Sequence, residues 1–200
     1  VTTVAGSGTA GSTNAAGTAA RFNYPRAIIS DGTNLYVVDQ SNHTIRKIVI
    51  STGVVTTFAG YPGSSGSTNG TGTSARFNYP RGITTDGTNL YVADTNNHTI
   101  RKIVISTGVV STFAGTTSYG FINATGTSAR FKYPRGITTD GTNLYVADSD
   151  NHRIRKIVIS SGAVTTIAGS TSYGSTNATG TSARFKYPRG ITTDGTNLYV

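Results

Sequence analysis

The 200-residue chain has no cysteine, methionine or tryptophan, and each of its eight acidic residues is an aspartate. Without cysteine there is neither a disulfide frame nor a thiolate metal site. No apolar run approaches the roughly 18 residues of a membrane-spanning helix, so membrane insertion is not expected. Hydrophobic residues make up only 36% of the chain. They are still too numerous and too regularly placed for a disordered segment. Acidic charge is also scarce: 17 lysines and arginines leave a net charge of +9. Such an excess ordinarily points to an anionic partner such as nucleic acid, acidic glycan or lipid headgroups. Here, however, the basic residues recur once per repeat, and any per-repeat excess multiplies with copy number.

What is present is repetition. Asp-Gly-Thr-Asn begins at Asp31, Asp86, Asp140 and Asp194, in steps of 55, 54 and 54 residues. Arg-Phe repeats in the same steps at Arg21, Arg76, Arg130 and Arg184. A Val-Thr/Ser-Thr-x-Ala-Gly marker starts at Val1, Val55, Val110 and Val164. One unit reads as four strands. Gly82–Thr85 leads into a glycine-bearing hairpin turn; Leu90–Asp94, Ile100–Ile105 and Val109–Ala114 follow. A loop from Gly115 to Ala129 then reaches the next unit. In the third strand Ile100 and Val104 point one way and Ile103 and Ile105 the other, so both faces of the sheet must be covered. The expected fold is all-β: a β-propeller of four-stranded antiparallel blades, each unit about 54 residues, with a solenoid of such sheets as the alternative. The expected boundaries are a strand and loop over 1–20, blades over about 21–60, 76–115 and 130–169, and an incomplete blade over 184–200. Val1–Gly6 reads as an orphan fourth strand, and the fourth unit stops after its second. The roughly 3.7 units are therefore expected to be part of a larger ring or array, with self-assembly through unpaired blade edges as a consequence.

Tyr79-Pro80-Arg81-Gly82-Ile83, Asn89-Leu90-Tyr91-Val92-Ala93-Asp94 and Asn97-His98-Thr99-Ile100-Arg101-Lys102 together resemble the NHL repeat, in a bacterial variety with a long inter-blade loop. The third letter of Asn-His-Leu is here threonine, or Arg153 in the third unit. The resemblance implies a propeller, usually six-bladed, that acts mostly in binding.

Candidate site residues follow from position. The inter-blade loop and the Asp-x-x-Asn-His turn are expected on one face, and loops on a rigid scaffold commonly carry binding residues. Tyr61, Tyr119, Phe121 and Tyr173 would supply aromatic contacts there, with Arg26, Arg81, Arg135 and Arg189 at the channel mouth. The competing reading has the tyrosines folded back as plugs of their own loops. Asp94 and Asn97 are expected to cap their turn and His98 to wedge against the next blade. The functional alternative makes Asp94 and His98 ligands of a channel metal. One carboxylate per Asp-Gly-Thr-Asn turn is too few for a calcium loop. The Asn-x-Thr triplets at Asn42, Asn69, Asn97, Asn123 and Asn177 read as turn residues.

No asymmetric constellation of nucleophile, base and stabiliser stands out, so no catalytic residue, metal or cofactor is assigned. The expected function is a non-catalytic binding or scaffold module of a larger secreted or bacterial cell-surface protein, with a protein or glycan partner on the loop face. The serine-, threonine- and asparagine-rich composition without oxidisable sulfur suits export. The first alternative is RNA binding through a basic face; a propeller lyase or hydrolase ranks last.

Overall fold

A computed structural model describes all 200 residues. It is all-β, and its only helical pieces are single 3-10 turns of three residues. The first blade has β1 (Pro25–Ser30), β2 (Asn34–Asp39), β3 (Thr44–Val49) and β4 (Val55–Ala59) in that spatial order, antiparallel throughout. The short β5 (Gly70–Thr71) belongs to the connecting segment. The second blade comprises β6 (Gly82–Thr85), β7 (Asn89–Asp94), β8 (Thr99–Val104) and β9 (Val109–Gly115), with β5 added outside β9. The third runs β10 (Pro134–Thr139), β11 (Asn143–Asp148), β12 (Arg153–Val158) and β13 (Val164–Gly169). β14 (Thr192–Thr193) and β15 (Leu198–Tyr199) form a two-stranded remnant of the fourth unit.

Each hairpin between the first two strands is set by its aspartate. The Asp86 carboxylate accepts the backbone N–H groups of Thr88 (2.9 Å) and Asn89 (2.6 Å), the Asn89 side-chain amide and the Tyr91 hydroxyl (both 3.0 Å). Gly87 supplies the left-handed residue of the turn at φ +88°. The same bonds in the first unit outweigh a desolvation penalty and pull the Asp31 carboxyl down to about 2, while burial and that carboxylate push the Tyr36 phenol up to about 12. These oxygens are committed to their own turn.

The alternation in the strands is realised as two cores, one on each side of the second blade. Leu90, Val92 and Ile103 pack with Tyr36, Val38 and Ile45 of the first blade. Tyr91, Ala93 and Ile100 pack with Leu144, Val146 and Ile157 of the third. Apolar side chains on both faces of one sheet are thus each removed from water by a neighbouring blade. The face of the first blade that points away from the second shows the opposite case. Ile28 there is 56% exposed, whereas its counterparts Ile83 and Ile137, each covered by a preceding blade, are 6% exposed.

At two positions on the innermost strands the next unit leaves no room for a side chain. A Cβ on Gly82 would overlap the Arg135 carbonyl oxygen, and one on Gly136 the Arg189 carbonyl oxygen. Val1–Gly6, expected as a fourth strand, is irregular. A fourth strand in this fold is held by the third strand of its own sheet, as β4 is by β3, and Val1–Gly6 has no such strand beside it.

The long connection is only partly a surface loop. Its first part stays at the end of the sheets that carries the Asp-x-x-Asn-His turn: Gly63 N–H donates to the Asn42 carbonyl at 3.2 Å. Its second part runs to the opposite end, where Gly70 and Thr71 pair with Val110 and Val109 at the start of β9. Ala75 and Phe77 then enter the core between blades.

Candidate binding face

The face is built on a buried polar staple that recurs in every complete blade. Asp94, at the end of β7, accepts the Asn78 backbone N–H at 2.7 Å, the Asn97 amide at 2.7 Å and Arg101 Nη1 at 2.9 Å. Arg101 and Asp94 are both fully buried. The two Nη atoms also reach the Arg76 and Thr68 carbonyls and Asn69 Oδ1, Nε is buried without a partner, and the guanidinium lies 5.2 Å from the Phe77 ring centroid. Asn97 donates to the Gly66 carbonyl at 2.7 Å. Arg46 with Asp39 and Arg155 with Asp148 repeat the arrangement at 2.9 and 2.8 Å. Burial pushes the Asp94 and Asp148 carboxyls up, with the adjacent guanidiniums opposing.

Asp94 therefore does not cap the backbone of the following 3-10 turn. It fastens the inter-blade connection to the blade through the Asn78, Asn97 and Arg101 donors. The same network explains four of the Asn-x-Thr triplets. The Asn42 and Asn97 amides are spent on Asp39 and Asp94, and Asn69 and Asn123 accept from Arg101 and Arg155.

His98 does wedge against the next blade. It adopts a left-handed conformation at φ +59°, and its Nδ1 accepts the Tyr133 backbone N–H at 3.2 Å. Its ring meets Tyr133 edge-on at 4.5 Å and Tyr119 at 5.6 Å. His43 with Tyr79 and His152 with Tyr187 repeat the contact. An imidazole accepting at Nδ1 is neutral with its proton on Nε2. Desolvation lowers the pKa of all three histidines from the ordinary 6.5. For His98 and His152, Asp150 acts against the shift and Lys132 with it. The unfolded chain consequently takes up protons first on acidification. The histidine contribution to stability is fully present above about pH 6.5 and is lost as the pH falls through that value, while the raised carboxyls of Asp94 and Asp148 act in the opposite sense. Between pH 7.5 and 5.5 the melting temperature of the unaltered chain is therefore expected to drop relative to that of His98→Gln.

The expected site residues separate into two groups. Tyr61, Tyr119, Phe121 and Tyr173 are half or more exposed and lie on the rim, each with a cation against its ring. Arg76 stands 4.8 Å from the Tyr61 centroid, Lys132 5.5 Å from Tyr119, Arg153 4.2 Å from Phe121 and Lys186 5.6 Å from Tyr173. The rings are propped on their own scaffold but keep an open side. Arg26, Arg81, Arg135 and Arg189 instead converge from the innermost strands on one cavity of about 390 Å³ at the channel. Burial lowers the Arg81 pKa, and the positive charges of Arg135, Arg26 and Arg189 lower it further. Arg26 Nε donates to Gln40 Oε1 at 2.7 Å, and Arg135 lies 4.0 Å from Asp150. The Nε groups of Arg81 and Arg135 are buried without a partner.

Two contributors to the face went unread in the sequence. Tyr24, Tyr79, Tyr133 and Tyr187 all take left-handed backbone conformations; three of them lean on the preceding histidine. A tyrosine recurring immediately before each proline was the available signal. Asp150, the counter-ion of Arg135, occurs in one unit only, replacing Ser41 and Asn96.

Two stretches, residues 77–103 and 131–157, match the model of the NHL repeat. The chain is 34% identical over 132 residues to NHL repeat-containing protein 2 of Bos taurus, covering 60% of this chain and 18% of that one. It thus spans less than a fifth of that relative's length. Among solved structures, it resembles an auxiliary nutrient binding protein of Bacteroides thetaiotaomicron (25% identity, TM-score 0.56, 71% of this chain and 36% of that one). A nidogen/laminin complex shares the fold at 19% identity and TM-score 0.62, over 89% of this chain and 55% of that one.

Proposed function

We propose that this run of NHL repeats forms part of a non-catalytic binding propeller in a secreted or bacterial cell-surface protein, and that it holds a protein or glycan partner on its loop face. The observation that carries the reading is the rim: Tyr61, Tyr119, Phe121 and Tyr173 are half or more exposed, yet each is propped by a cation. An exposed ring already fixed in place loses little entropy on binding, which is what an aromatic anchor requires. The similarity to a protein described as nutrient binding supports the same direction. The aspartates and arginines of the buried staple are consumed by structure, which supports a non-catalytic role. It also weakens the RNA alternative, since Arg46, Arg101 and Arg155 offer no charge to a surface.

A glycan array and a pull-down from extracellular matrix test the reading. The Tyr119→Ala/Tyr173→Ala variant is expected to lose roughly 10-fold or more in affinity for whatever the unaltered chain retains. Retention unchanged in that variant would remove the rim from the site.

A further inference from the structure

We infer that the channel mouth is a binding site for a small multivalent oxyanion, a ligand carrying two or more closely spaced carboxylate or phosphate groups, held by Arg26, Arg81, Arg135 and Arg189. The inference is independent of the rim reading, because none of the four arginines touches the rim aromatics.

Three features carry it. First, four guanidiniums from equivalent positions of successive units line a single cavity of about 390 Å³, together with small and aliphatic residues of the innermost strands. Like charges converging in one partly buried space repel: the proton affinities of Arg81 and Arg135 are lowered first by burial and then by neighbouring guanidiniums. Second, the compensation supplied by the chain is incomplete. Asp150 is the one carboxylate paired with the group, at 4.0 Å from Arg135, and Arg26 has a neutral partner in Gln40. Third, Arg81 Nε and Arg135 Nε are buried and unpartnered. Buried donors without acceptors are costly, and a planar guanidinium fork matches a carboxylate or phosphate edge in two parallel bonds. Arg46, Arg101 and Arg155 share the unpartnered Nε, but each has its charge matched by a buried aspartate, so the unmatched charge is what sets the channel arginines apart. A ligand with several oxyanions satisfies the idle donors and screens the mutual repulsion in one step. A single monovalent anion satisfies fewer of them.

The test uses the 200-residue chain with citrate and inorganic pyrophosphate as probes, in thermal melts and calorimetry at physiological salt. At least one of the two is expected to raise the melting temperature beyond the effect of sodium chloride at equal ionic strength; which one does so separates carboxylate from phosphate recognition. Arg81→Gln/Arg135→Gln is expected to weaken binding by roughly 100-fold or more and to melt no lower than the unaltered chain without ligand. Lys102→Gln/Lys156→Gln removes the same charge from third strands and should leave binding intact. Asp150→Asn should tighten it several-fold, a change that a purely structural role for the arginines does not produce. If the double arginine variant fails to fold, the Nε–H resonances of Arg81 and Arg135 in the unaltered chain must shift on adding the probe. The inference is overturned if neither probe exceeds the salt control, if the lysine variant loses binding equally, if those resonances stay fixed, or if only a long polyanion such as heparin or RNA binds.

Discussion

Replacing Arg101 by methionine is expected to cost about 3–5 kcal/mol, because it leaves the fully buried Asp94 charge without its cation. It also strips donors from the Arg76 and Thr68 carbonyls and from Asn69. The expected result in urea is a fall of about 1–3 M in the unfolding midpoint. Lys102→Met, one residue further along the same strand and only half-buried, is expected to stay within about 0.5 kcal/mol. A second comparison isolates the mechanism. Asp94→Leu combined with Arg101→Met removes both charges and should recover part of the loss. Recovery stays incomplete because the Asn78 N–H and the Arg76 carbonyl are left without a partner and the Thr68 carbonyl loses one of its two donors. If Arg101→Met were as mild as Lys102→Met, the staple would be incidental to stability.

Gly136→Ala has the second large expected effect. Its new methyl group would be driven into the Arg189 carbonyl, close also to Ile191 N and the Gly190 carbonyl carbon, both backbone atoms that cannot swing aside. Overpacking of this kind costs about 1–3 kcal/mol, a drop of about 2–12 °C in melting temperature for a chain of this size. Gly190→Ala, with nothing within 4 Å of the added atom, should be neutral by the same measurement. The first unit already carries Ala27 at this position. Prising β10 from its neighbour would also separate Arg135 from Arg189, so Gly136→Ala should weaken citrate or pyrophosphate binding together with stability.

Much of the fold was legible because it is written in period-two alternation and in turn residues, both local signals. The third strand announced two covered faces through Ile100 and Ile103, and the two cores bear that out. Arg101 was placed in the blade, but its role was not legible. A long charged side chain among aliphatic residues reads as a solvated edge unless the aspartate seven residues earlier is seen to fold back on it. The left-handed Tyr79 was hidden for a similar reason, since aromatic residues seldom take that conformation and the His43 contact that holds it comes from another blade. The division of the site into rim and channel depends on radial position. Arg81 lies beside an innermost strand and Tyr61 at the start of a connection, a difference that appears only once the sheets are stacked around an axis.

The connection that looks like a spacer is bonded chiefly to the blade that follows it: β5 to β9, Gly72 to Gly108, Thr68 and Asn69 to Arg101. The heritable module therefore starts just after Gly60, Gly115 or Gly169, not at the Arg-Phe that opens the visible motif. Recombination at those glycines carries each arginine away with the segment it grips, so whole units can be added or deleted in register. A crossover at Arg76 or Arg130 would mate one unit's guanidinium with another unit's connection and survive only while Asn69 and Asn123 remain interchangeable. Near-identity between units keeps both routes open, which gives such a gene a means of changing its length without redesigning a single contact.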